Sequence, residues 1–95
     1  MFTHVVLFRL KDRSPEGIAA TRAVLESLGN GIETLRGLEI GVDVVRSGRS
    51  YDLALITRFD DRGGYEAYRQ HPLHLPVLAH LSEAAEHAVA VDYES

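Results

Sequence analysis

The sequence contains no cysteine, which removes disulfides and thiolate metal ligands from any account of it. It also lacks a surplus of positive charge: 10 Lys and Arg stand against 14 Asp and Glu, a net charge of −4. Non-specific nucleic-acid binding draws on a basic field that displaces counterions, so nucleic acid is not an expected partner. The same balance disfavours an anionic membrane surface, and no apolar stretch approaches the length needed to cross a bilayer. Met1-Phe2-Thr3-His4 moves straight into an apolar run with no basic segment before it, so an untargeted, cytoplasmic protein is expected. Internal repeats, low-complexity tracts and linkers are missing too. At 95 residues, 45% hydrophobic and 25% charged, the chain reads as a single domain over residues 1–95 with one core.

What is present is a clear order of elements. Phe2 to Leu10 is rich in Val, Leu and Phe and predicts a first strand. Ser14 before Pro15 predicts a helix start, with Ser as N-cap and Pro at the first helical position, although Gly17 replaces the usual acidic third residue. Ile18, Leu25, Leu28, Ile32 and Leu35 recur at the spacing of one helical face, and Gly29-Asn30-Gly31 should end or distort that helix. Leu38 to Val45 predicts a second strand, Arg46 to Ser50 a hairpin connection, and Asp52 to Phe59 a third strand. Asp60 or Asp61 should cap a short helix running toward Gln70, which Pro72 breaks. Pro76 to Ala85 predicts a further helical stretch, and His87 to Tyr93 a closing strand.

The resulting β-α-β-β-α-β order is that of a ferredoxin-like α+β domain, a four-stranded antiparallel sheet with helices on one face. Such a sheet should be polar on its bare face. Here strand three carries Leu53, Leu55 and Thr57 on one side and Ala54 and Ile56 on the other, and strand one pairs Val6 and Phe8 with Val5 and Leu7. Both faces call for burial, yet one helical layer covers only one. A second copy of the chain packed on the bare face resolves the conflict, and a homodimer, the dimeric α/β barrel, is expected.

Chemistry rests on the histidines. His4 shares its strand face with Phe2, Val6 and Phe8 and should point into an apolar interior. Tyr68 to His74 reads Tyr-x-x-His-Pro-x-His at a helix end. His4, Tyr68 and one or both of His71 and His74 are therefore placed around a pocket between sheet and helices. An imidazole titrates near neutrality and can exchange protons with carbon or oxygen, while a tyrosine hydroxyl can orient it or donate to an oxyanion. Buried hydrogen-bonding roles would explain the same residues without a substrate. A metal site is not expected, because Pro72 prevents regular presentation of His71 and His74 and no acidic residue completes a zinc spacing. Asp52, Asp60, Asp61 and Asp92 read as capping and loop residues, and Tyr65 as packing. No glycine pattern of the phosphate-binding type occurs.

Across nearly its whole length the chain resembles the stress-responsive A/B barrel (Dabb) family. The resemblance is carried by His4, by Gly41 after Leu38-Glu39-Ile40, by Tyr51-Asp52-Leu53-Ala54-Leu55, by the Tyr68–His74 motif and by Val91-Asp92-Tyr93. It implies a dimeric barrel. It also implies a link to plant polyketide cyclases, which close a linear polyketide by aldol condensation without a cofactor. By that likeness His4, Tyr68 and His74 would be catalytic, with His74 as general base, Tyr68 holding it, and His4 positioning substrate or donating to the enolate oxygen. His71 and Leu53 would be substrate-binding, and the ligand small and apolar or polyketide-like. Leu53 stands where those cyclases have a histidine, and Val24 or Leu25 where they have a helix-one tyrosine. Two other readings share the fold: a non-catalytic dimer that binds a small ligand, and a cofactor-free monooxygenase of the antibiotic-biosynthesis type, whose pockets often hold the tryptophan this chain lacks.

Overall fold

A computed structural model describes residues 1–95. Strand β1 (Phe2–Leu10) leads to helix α1 (Pro15–Glu26) and a 3-10 turn (Ser27–Gly29). Strands β2 (Gly37–Val42) and β3 (Leu53–Phe59) follow, then helices α2 (Arg62–Arg69) and α3 (Leu75–Ala84) and strand β4 (Ala85–Glu94). The strands form one antiparallel sheet in the order β2-β3-β1-β4. The expected fold holds, with the second helical segment split in two.

Helix α1 starts where its chemistry says it should: Ser14 Oγ accepts from Gly17 N–H at 3.1 Å, and Pro15 opens the first turn. A glycine stands at 17 because a Cβ there would lie 2.5 Å from both the carboxyl carbon and the main-chain oxygen of Asp12. The helix ends at Glu26, short of the glycines; Gly31 is left-handed at φ 127°. Ile32 stays buried after the break, so it serves the core from a turn rather than from a helix.

Strand β2 stops at Val42, not Val45. Asp43 makes the last bond across to Asp52 (3.0 Å), its carboxylate then accepts from Arg46 N–H (2.7 Å), and Arg46 turns left-handed at φ 54°. Val44 is consequently 87% exposed. Asp61, not Asp60, caps α2, with Oδ1 accepting from Gly64 N–H at 2.9 Å. Asp52, the last residue before β3, does more than bond within its loop. It is fully buried, accepts from Leu10 N–H (2.8 Å), from Arg13 Nε at both oxygens (3.0 and 3.2 Å) and from Arg46 Nη2 (2.8 Å). Burial pushes its pKa up, but these donors outweigh burial and the carboxyl lies below its ordinary value.

Register sorts the sheet into two faces. Phe2, Val6 and Phe8 of β1 and Leu53, Leu55 and Phe59 of β3 are buried beneath α1–α3 with Ile18, Leu25, Tyr68 and Val77. On the opposite face Val5 pairs with Ile56 and Val91, and Leu7 with Ala54 and Val89. No helix covers these side chains, and Val91 is 63% exposed. The bare face is apolar through the sheet centre, as alternation along the strands predicts.

Candidate functional site

Helix α2 ends in Tyr68-Arg69, and the chain must turn before Pro72. His71 N–H donates to the Tyr68 carbonyl (3.1 Å), His74 N–H to the His71 carbonyl (2.9 Å), and α3 begins as Leu78 N–H reaches the His74 carbonyl (3.0 Å). This corner carries His74 inward. Its ring lies 4.4 Å from that of Tyr68, centroid to centroid, and Tyr68 packs on Phe59 at 5.0 Å. From the sheet, His4 comes up beside Tyr65 at 4.9 Å and Tyr68 at 6.5 Å. A pocket of about 220 Å³ lies between these groups, with His4, Val6 and Phe8 as floor and Tyr65, Tyr68, Arg69, His74 and Leu78 among its walls.

The hydrogen bonds assign the rings. His74 Nδ1 faces the Arg69 carbonyl at 3.1 Å. A carbonyl only accepts, so Nδ1 carries the proton and Nε2 of the neutral ring holds a free lone pair. Burial lowers His74's pKa; the bond to the Arg69 carbonyl opposes this, and the charges of His4 and Arg69 reinforce it. His74 is therefore neutral at pH 7 and able to accept a proton.

His4 Nδ1 meets the Asp92 carboxylate. The two residues face each other in the β1–β4 ladder, so Asp92 accepts from Nδ1–H and leaves the other ring nitrogen unengaged. In its neutral form His4 thus offers an acceptor, which fits the substrate-positioning role of the two that the family likeness implies.

Tyr68 is 1% exposed, and its hydroxyl has no hydrogen-bond partner. Burial raises its pKa, and Tyr65 adds to the effect. The hydroxyl stays protonated and unspent. It does not hold His74 by a hydrogen bond, as the likeness suggested; only ring packing joins the two.

His4, Tyr68 and His74 thus converge, but His71 and Leu53 do not line this pocket. His71 Nδ1 accepts from Leu73 N–H (3.1 Å), and its Nε2 turns away to Glu33 (3.2 Å). Leu53 is buried opposite Phe8, whereas His4 lies opposite Thr57. Four strand residues separate those levels, about 13 Å. His80 bonds Thr21 across α1 and α3 (2.9 Å). Sequence reasoning missed Asp92, Tyr65 and Arg69. Pairing the first and last strands would have exposed Asp92, but their register is not written locally. No group of three or more His, Asp or Glu side chains converges as a metal site would require.

Comparison with known proteins places the chain. An uncharacterized protein of Streptomyces coelicolor is 33% identical over 97 residues, covering 99% of both chains. A dimeric ferredoxin-like protein of unknown function from Thermobifida fusca superposes with a TM-score of 0.87 at 28% identity, over 99% of this chain and 90% of that one. A dimeric protein of ferredoxin-like fold from Bacteroides fragilis gives 0.83 at 29% identity, over 99% and 95%. The profile of the Stress Responsive A/B Barrel Domain matches residues 2–95, and the chain belongs to that family.

Proposed function

We propose that this protein is a cofactor-free acid–base enzyme that removes a proton from the carbon next to a carbonyl in a small substrate. His74 Nε2 takes the proton, the C–H electron pair moves onto the carbonyl oxygen, and the Tyr68 hydroxyl donates to the enolate oxygen so formed. His4, oriented by Asp92, receives a substrate hydroxyl or N–H. The observation that carries this reading is the Tyr68 hydroxyl, buried and unpartnered beside a neutral imidazole. An orphan buried donor costs folding free energy, and a substrate oxygen is the partner that would repay it. The pocket holds roughly seven water volumes, which suits a small carbonyl compound better than a long linear polyketide.

The working form we propose is a homodimer in the cytoplasm, its two sheets closed into a barrel. The apolar row Val5, Leu7, Ile56, Val89 and Val91 supports it, as does the dimeric state of the two similar ferredoxin-like proteins.

The test is deuterium incorporation into butanone in D2O, followed by proton NMR. Wild-type protein should accelerate exchange above buffer, and His74→Ala should lower that acceleration by about 10²-fold or more. Exchange at the buffer rate with folded wild-type protein would leave a non-catalytic, ligand-binding dimer as the better account.

A further inference from the structure

We infer that the substrate is a short-chain oxo acid, its carboxylate held by Arg69 at the mouth of the His74–Tyr68 pocket; the inference rests on the acid–base reading of that pocket. Arg69 is the one lining residue with a permanent charge, on walls otherwise built from Val6, Phe8, Leu55, Val77, Leu78 and Leu81 around the aromatic and imidazole rings. Its guanidinium carbon sits 5.8 Å from the centroid of the Tyr65 ring. Tyr65 lies against His4, so this solvent-exposed charge stands at the edge of the pocket that holds the reacting groups.

Arg13 and Arg46 hold the buried Asp52 at 3.0 and 2.8 Å, and on the surface Arg22 holds Glu26 at 3.1 Å and Arg36 holds Asp60 at 3.2 Å. Arg9 and Arg62, like Arg69, are only loosely paired, at 3.6 and 3.7 Å, but neither lines the pocket. Arg69 reaches Glu66 only at 3.7 Å, between two exposed groups. That is too long for a hydrogen bond and weak as a surface pair. A guanidinium fork left unspent at a pocket mouth matches a carboxylate, which it can hold bidentately.

Anchor and base are also fixed to each other. The main-chain carbonyl of Arg69 orients His74 (3.1 Å), and Tyr68 is its neighbour in the last turn of α2. A ligand tied to the guanidinium by its carboxylate reaches the hydroxyl and the imidazole over a short span. A pocket of about 220 Å³ limits the body between carboxylate and carbonyl to a few carbons. In the reaction no co-reactant is needed: the α-proton passes to His74, the enolate oxygen is met by Tyr68, and the proton, or a solvent deuteron exchanged onto the ring, returns to carbon.

The experiment compares 4-oxopentanoate with 4-oxopentanamide, which differ in charge alone at the far end. Binding is read from the His4 and His74 ring resonances during NMR titration, and turnover from deuterium incorporation next to the ketone. Wild-type protein should bind the acid about 10-fold or more tightly than the amide. Arg69→Gln should bring that ratio close to one, and Arg69→Lys should restore part of it. Arg69 is exposed, so neither variant should disturb the fold, and spectral dispersion checks this. Equal exchange of acid and amide, insensitive to Arg69→Gln, overturns the oxo-acid assignment and leaves the acid–base reading standing. Arg69-dependent binding of the acid without exchange upholds the anchor and overturns the acid–base reading. Neither binding nor exchange overturns both.

Discussion

Replacing Tyr68 by Phe removes one oxygen atom and should move stability and activity in opposite directions. The ring keeps its contacts with Phe59 and His74. What disappears is a hydroxyl that is buried and unpartnered. Such a group costs about 1–3 kcal/mol of desolvation. Against that, the oxygen's dispersion contacts are lost, a few tenths of a kcal/mol. The net expectation is a gain of about 1 kcal/mol, or a rise of about 4–8 °C in Tm for a domain of this size.

The same change removes the proposed donor to the enolate, so deuterium exchange should fall by about 10²–10³-fold. Thermal denaturation followed by circular dichroism, at fixed protein concentration because dimers melt by mass action, reads the first effect. Thr57→Val is the control. Its Oγ1 is also buried and unpartnered, but Thr57 does not line the pocket. That variant should gain stability without losing exchange. A Tyr68→Phe protein that loses more than about 1 kcal/mol would show that the hydroxyl has a structural partner, and the oxyanion argument would fall with it.

Asp52→Asn should destabilise the fold by about 3 kcal/mol, because the amide nitrogen faces donors where a carboxylate oxygen accepted and both Arg13 and Arg46 lose their counter-charge. Those arginines are each roughly a third exposed, so water limits the loss; a denaturant-melt change under about 1 kcal/mol would contradict the buried-hub account. The exchange rate should hold its plateau below pH 6.5, since His74 titrates below its ordinary 6.5 and keeps its lone pair there. In the same window the unfolded chain binds more protons at His74 than the folded one, so stability should fall as pH drops through 6.5 toward the folded value; a rate that halves at 6.5 or above argues against a buried base. Leu7→Glu on the bare sheet face should give a one-chain sedimentation mass, against two chains for wild type. A wild-type mass of one chain at micromolar concentration would remove the barrel.

The parts of the fold that sequence rules reach are those whose ends are chemical. Ser14-Pro15 and Asp61 mark helix starts because a side-chain oxygen must meet orphan N–H groups there. Alternation along β1 and β3 carries the two-faced sheet. The rules overshoot where an end is tertiary: Leu38 to Val45 is apolar enough for one strand, and only the Asp43–Asp52 bond and the turn at Arg46 stop it at Val42. Helix α3 passes into β4 at Ala84–Ala85 with no turn residue between, so nothing local announces the change. Within the site, His4, Tyr68 and His74 were legible through a motif and strand periodicity. His71 shares the motif, yet its Nδ1 serves Leu73 and its ring turns to Glu33. Asp92 was hidden because its meaning depends on which residue lies opposite it.

The division of labour among the polar groups follows from who occupies whose hydrogen-bonding positions. Had Tyr68 bonded to His74, the pair would pin the α2–α3 corner and leave neither atom for a substrate. Instead the Arg69 carbonyl takes the Nδ1 proton of His74, and Asp92 takes that of His4. Both imidazoles are locked in orientation without using Nε2, and Tyr68 is held by ring packing without using its hydroxyl. The orphan hydroxyl costs a noticeable share of a folding stability that totals only about 5–15 kcal/mol, and unlike the orphan Thr57 Oγ1 it belongs to a residue that lines the pocket. In both rings the orienting bond is made by Nδ1. That asymmetry, Nδ1 engaged and Nε2 free on both rings, is what the proposed proton abstraction beside a carbonyl would require.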